Sequence, residues 1–131
     1  MTAVDTNIII RLLARDDEAQ YQAARRLFDT YEVFVPVTVV LEAVWVLETV
    51  YSQDRPAVAS ALDGLLGFPN VNVRDERALK SACEWYREGL DFADGLHLAL
   101  SQRASHFATF DKALISRAPS GSTTIVVDAT T

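Results

Sequence analysis

The chain has a single cysteine among 131 residues, Cys83, which excludes an internal disulfide framework and a thiolate metal cage. A reducing, intracellular setting is expected. No apolar run approaches the roughly 18 residues that a membrane-spanning helix requires. "MTAVDTN" lacks the charged-then-apolar order of a secretion signal. A cytoplasmic location with no membrane partner follows as an expectation. Basic residues are also scarce, with 12 Lys and Arg against 18 Asp and Glu, for a formal charge of -6. That balance argues against a broad cationic surface that grips nucleic acid. The total counts every carboxylate as free, however. Four acids gathered around divalent cations would leave -6 + 4 = -2, so the acidity disfavours a passive nucleic-acid binder more than a metal-dependent nuclease.

Half of the residues are apolar, enough for a real core in one domain spanning 1–131, and no repeat or long linker interrupts the chain. Residues 2–4 read as a strand ending at Asp5, with Ile8, Ile9, Leu12 and Leu13 at helical spacing behind it. A helix over about 18–30 carries Tyr21, Ala24, Leu27 and Phe28 on one face. "VFVP" reads as a strand closed by Pro36, which suits the start of the next helix, with Thr38 as its cap. Helices over about 55–67 and 75–88 flank "GFPNVNV", a turn and short strand, and Gly89 marks a stop. Asp91 opens a helix over about 92–104, with Phe92, Leu96, Ala99 and Leu100 inward. "HFATF", a short helix near 112–117 and "TTIVVD" complete the chain. Short strands alternating with helices predict an α/β fold with a parallel sheet covered on both faces.

Certain acids stand out in this frame. Asp5 ends the first strand and Asp111 follows "HFATF", so both fall at the edge of a parallel sheet where ligands collect. Each suits a helix N-cap equally well. Asp91 and Asp94 are three apart at a helix start, close to a capping-box arrangement, and capping is the simpler role for Asp94. Yet Asp94, Leu98 and Ser101 form a line apart from the core face, which turns that carboxylate toward a cleft. Glu42 is the one ionisable side chain in "VVLEAVWVL". It shares a helix side with Thr38 and Thr49, flanked by Val39, Trp45 and Val46, and the helix reads as covered nearly all round. Such a carboxylate must reach solvent, pair with a base or meet a cation. Were the four acids to converge, pairs about 5 Å apart would repel by roughly 3 kcal/mol at an effective dielectric near 20. Oxygen ligands without Cys or suitably spaced His select Mg²⁺ or Mn²⁺ over Zn²⁺. His97 and His106 read as packing or surface residues.

"VDTNIIIRLL", "VVLEAVWVL", "LDFADGLHLALS" and "ATFDKAL" occur in the order and spacing of PIN-domain ribonucleases. Across essentially its whole length the chain most resembles the VapC toxins of bacterial toxin-antitoxin pairs. The resemblance implies a single three-layer PIN-like domain, with a central parallel sheet of about five strands between helices. It implies an acidic quartet of Asp5, Glu42, Asp94 and Asp111 holding Mg²⁺ or Mn²⁺, with Thr6, Asn7, Asp91 and Thr109 beside it. The implied activity is endoribonucleolytic: metal-activated water cleaves RNA, leaving a 5'-phosphate and a 3'-hydroxyl. A structured RNA such as a tRNA or ribosomal loop, a homodimer and an inhibitory cognate antitoxin are the implied partners. Arg11, Lys112 and Arg117 lie in segments near the expected edge and are candidates for RNA contact. Trp45, Tyr51, Trp85 and Tyr86 are large enough to anchor a protein contact, with core packing expected for the two tryptophans.

Rival readings differ in their acids. A haloacid-dehalogenase-type phosphatase places a second Asp two positions after the first, where this chain has Asn7. A receiver domain has its phosphoacceptor on a third strand, and Asp5 stands too early for that. A non-catalytic acidic interaction domain, in which the four acids serve as caps and solvated charge, remains open; it predicts no thermal response to Mn²⁺.

Overall fold

A computed structural model describes all of residues 1–131. The elements are β1 (Thr2–Ala3), α1 (Thr6–Ala14), α2 (Glu18–Thr30), β2 (Val33–Phe34), α3 (Val37–Thr49), α4 (Arg55–Leu66), β3 (Val71–Asn72), α5 (Glu76–Arg87), α6 (Phe92–Ala99), β4 (His106–Thr109), α7 (Lys112–Ser116) and β5 (Ile125–Asp128). The alternation is that of an α/β fold. All strand pairings are parallel, and the five strands fall into a sheet of three and a sheet of two. The chain divides into two compact units, Met1–Arg74 and Asp75–Thr131.

In the first unit β1, β2 and β3 lie side by side in that order, Thr2 opposite Val33 and Val33 opposite Val71. Parallel neighbours need crossover connections, supplied by α1 with α2 and by α3 with α4. Ladder bonds continue past the short strands, from Val4 N–H to Phe34 (3.2 Å) and from Val35 N–H to Asn72 (3.0 Å). Val4, Val33 and Val35 are buried accordingly. On α1 the buried set is Ile9, Ile10 and Leu12, while Ile8 and Leu13 are half-buried at the margin. Ala24 and Phe28 anchor α2, and Val58, Leu62 and Leu65 anchor α4.

Two expectations about α3 are corrected. Thr38 is not its cap: Pro36 holds the N-cap position with φ -59°, and its carbonyl accepts from Val39 and Val40 without help from any side chain. Nor is the helix covered all round. Val40, Ala43, Val44 and Leu47 are buried, but Thr38, Glu42, Trp45 and Thr49 form an exposed stripe at i, i+4, i+7 and i+11. Trp45 is 61% exposed and packs in no core. The half-buried valines flanking that stripe gave the sequence its uniformly apolar look.

In the second unit β4 and β5 pair from His106 opposite Ile125 to Thr109 opposite Asp128, and α7 packs against both. Trp85, Leu90, Leu98, Ala99 and Leu114 form a core cluster, so Trp85 is the interior residue expected. Tyr86 is also buried, edge-on to Phe92 at 5.8 Å. The expected helix over 92–104 stops at Ala99. Ser101 Oγ donates to His97 O (2.7 Å) and Gln102 Nε2 to Leu98 O (3.0 Å), satisfying carbonyls at the helix end. Gln102 Oε1 in turn accepts from Thr123 N–H (2.7 Å), so residues distant in sequence hold the stop. Leu100 is consequently exposed rather than inward, and Leu98 is fully buried rather than in line with a cleft.

The two sides of α3 should respond differently to truncation. Leu47→Ala is expected to lower unfolding stability by about 2–5 kcal/mol, and Trp45→Ala by less than about 0.5 kcal/mol. Urea denaturation of both variants checks this, and equal losses would contradict the assigned faces.

Candidate functional site

Three helix N-termini place the aspartates, and the middle of α3 carries Glu42. Asp5 caps α1, its Oδ1 accepting from Ile8 N–H at 3.2 Å. Asp111 caps α7, with Oδ1 accepting from Ala113 (2.9 Å) and Leu114 (3.2 Å). Asp91 caps α6, its Oδ2 accepting from Asp94 N–H at 3.1 Å. Capping is thus confirmed for Asp5, Asp91 and Asp111, and each of these bonds engages one carboxylate oxygen. The other oxygen of each side chain is left for a ligand, so cap and ligand roles are compatible. Asp94 lies in the first turn of α6 and does not cap it.

Glu42 reaches solvent from α3, and its Oε1 accepts a hydrogen bond from Thr6 Oγ1, on the first residue of α1. That bond ties the Glu42 carboxylate to the helix start next in chain to Asp5, where the helix dipole favours negative charge. Asn7 is exposed one residue further along. In the second unit, Thr109 Oγ1 accepts from Asp111 N–H at 3.0 Å and steadies the turn that presents Asp111.

Asp94 carries the electrostatic signature of the second unit. Burial pushes its carboxyl above the usual carboxylate range, and the charges of Asp91 and Asp111 push it further, with His97 opposing. Like charges facing one another favour a bound cation. No group of three or more His, Cys, Asp or Glu side chains forms a ready metal cage. The donor chemistry nonetheless fits Mg²⁺ or Mn²⁺, being all oxygen, and the caps at Asp5, Asp91 and Asp111 each engage only one carboxylate oxygen.

The basic candidates are already engaged. Arg11 Nη1 meets Asp16 at 3.1 Å and the Tyr51 hydroxyl at 3.2 Å, and its Nε donates to Gln20 Oε1. Tyr51 also donates to Asp16 (2.7 Å); that bond, ahead of the Arg11 charge, holds Asp16 below its ordinary range. Lys112 Nζ pairs with Asp128 at 2.7 Å and, together with Thr130, holds that carboxyl well below the usual range. Arg117 donates to Gly89 O at 3.1 Å. Asp16, Gln20 and Asp128 were not singled out in the sequence, and Tyr51 only as a bulky anchor. Arg11 and Tyr51 stand 40 positions apart, so no periodicity links them.

A family model described as PIN domain matches residues 2–119. No curated protein and no solved structure matches the chain.

The raised Asp94 carboxyl fixes a sign for pH. Its protonated form favours the fold; this contribution is complete below the unfolded value of about 3.9 and is lost as pH rises through the higher folded value. Asp94→Asn, which mimics the protonated acid, should therefore raise the melting temperature at pH 7 in chelator, with the gain vanishing below about pH 4. Melting curves at both pH values test it; a variant less stable than wild type at pH 7 would contradict the assigned environment.

Proposed function

The chain belongs to the PIN domain family, and on that premise we propose that it is an Mg²⁺- or Mn²⁺-dependent endoribonuclease of the VapC toxin type, acting as one domain over 1–131. PIN domains are in general metal-dependent nucleases that act on RNA. The observation that carries the reading is that the family match spans all four acids, Asp5, Glu42, Asp94 and Asp111, in a fold of the α/β class. No helix is long and apolar enough to cross a membrane. A cytoplasmic site of action belongs to the same proposal.

Asp5, Glu42, Asp94 and Asp111 are the proposed ligands, through the oxygens their caps and the Thr6 bond leave unengaged. When bound, the ion supplies positive charge beside the phosphate and lowers the pKa of water. Glu42, held by Thr6, acts through Oε2 either by ligating the ion through a water or by orienting the attacking water and accepting its proton. Thr109 steadies Asp111, and Asp91 fixes the start of α6 so that Asp94 keeps its place. Attack by water in line with the leaving 3'-oxygen gives a 5'-phosphate and a 3'-hydroxyl. Lys112 and Arg117 contact phosphates of a structured RNA, a tRNA or ribosomal loop, exchanging their present partners for the strand. A cognate antitoxin inhibits the enzyme and a homodimer is its assembled form. Trp45, the exposed tryptophan, is the proposed anchor for protein contact.

Incubation of purified protein with structured RNA and Mg²⁺ should give fragments with 5'-phosphate ends. Chelator should abolish cleavage, and Asp5→Asn and Glu42→Gln should each lower it by about 100-fold or more. Cleavage that survives chelator and both substitutions, or cyclic 2',3'-phosphate ends, would overturn the mechanism. Absence of any Mn²⁺-dependent thermal shift would favour the inert acidic domain.

A further inference from the structure

A cleft of about 400 Å³ is lined by Asp5 and Asn7, by Ile8 and Arg11 further along α1, and by Gln20 and Ala23 of α2. That volume lies at the small end of ligand pockets and has room for one nucleotide-sized group. Its polar wall is preset. Because Arg11 Nε can only donate, the Gln20 atom it meets must be the amide oxygen, which leaves both hydrogens of the Gln20 NH₂ for a ligand. Arg11 is itself held through Nε and Nη1 by Gln20, Asp16 and Tyr51, leaving the Nη2 hydrogens for a ligand. A guanidinium braced on two edges loses little freedom when a third edge binds.

Charge decides what that ligand is. Asp16 at 3.1 Å offsets Arg11, and Asp5 adds a negative wall, so an extra phosphate meets no net positive charge here. An uncharged ring between Ile8 and Ala23 meets no such penalty. Gln20 and Arg11 both offer donors, so the ring edge must accept. Guanine presents two adjacent acceptors, O6 and N7, whereas adenine presents a donor beside its N7.

We propose that this cleft is a base-reading subsite that takes one unpaired nucleotide beside the cleaved phosphate, preferring guanine to adenine, with Gln20 and Arg11 as its specificity residues. The identity of the strand as RNA rests on the nuclease reading. Asp5 supports adjacency to the chemistry, since it is at once a cleft wall and a proposed ligand.

The test is an NMR titration of ¹⁵N-labelled full-length protein in chelator with guanosine, adenosine and ribose 5-phosphate, followed at the side-chain amides of Asn7 and Gln20. Guanosine is expected to shift these signals and to bind about fivefold tighter than adenosine; ribose 5-phosphate should leave them unmoved. Gln20→Glu keeps the oxygen that Arg11 needs and removes the NH₂ donors, so it should weaken guanosine about fivefold with the backbone spectrum otherwise unchanged. Unmoved signals with guanosine, equal binding of adenosine or ribose 5-phosphate, or full guanosine affinity in Gln20→Glu each overturn the proposal. The titration contains no RNA and no metal. Guanosine binding without RNA cleavage would therefore remove the nuclease reading alone, and cleavage without guanosine binding would remove the subsite alone.

Discussion

A carboxylate free to rotate is poorly placed to meet a cation, so the proposed ion ligands need the fold to hold each of them. Here the helix starts carry that burden. Backbone N–H groups left over in the first turn of a helix bind one oxygen of Asp5, Asp91 and Asp111, and the helix dipole favours their charge. The same bonds fix side-chain direction, because a capping carboxylate cannot rotate freely. The second oxygen of each is therefore displayed at a geometry set by backbone rather than by a flexible chain. Asp94, which caps nothing, is the acid whose ionisation burial and its neighbours oppose. A site that binds a cation through such acids gains most where repulsion is least relieved beforehand.

Glu42 achieves a similar result by other means. It sits in mid-helix with no backbone N–H to accept from, and the hydroxyl of Thr6 takes that place across to α1. Its solvent exposure removes the desolvation problem that its sequence surroundings suggested. What remains is a positioning problem, which the packing of α1 against α3 solves.

Much of this was readable from the chain. The helices over 18–30, 55–67 and 75–88 show their apolar spacing plainly, and β4 and β5 announce themselves as apolar runs between turns. Asp5, Asp94 and Asp111 lie at the helix starts expected of them, and Glu42 lies within the expected helix. The resemblance supplied their joint meaning, and the PIN match over 2–119 bears out the family. The failures share one cause. The end of α6 depends on Gln102 meeting Ser122 and Thr123, about twenty residues away, with no Gly or Pro to mark it. The exposed stripe of α3 is masked by valines at its margins, because composition averages over faces that packing distinguishes. The brace on Arg11 likewise joins residues 9 and 40 positions apart, beyond the reach of any local pattern.

Arg11, Lys112 and Arg117 also bear on how an acidic chain handles a polyanion. Free cations on a surface drive nucleic-acid binding by releasing counterions from phosphate. These three already hold carboxylate or carbonyl partners, so each must exchange a contact to gain a phosphate, and the net electrostatic gain is small. Attraction to a polyanion must then come from other groups. On the proposed function, a divalent ion held by the acids would provide charge at the reacting phosphate without making the whole surface basic. Base contacts in the Asp5–Gln20 cleft would add affinity that does not depend on charge. On the proposed function, an acidic protein built this way would avoid long non-specific residence on RNA and concentrate its grip at the cleaved position.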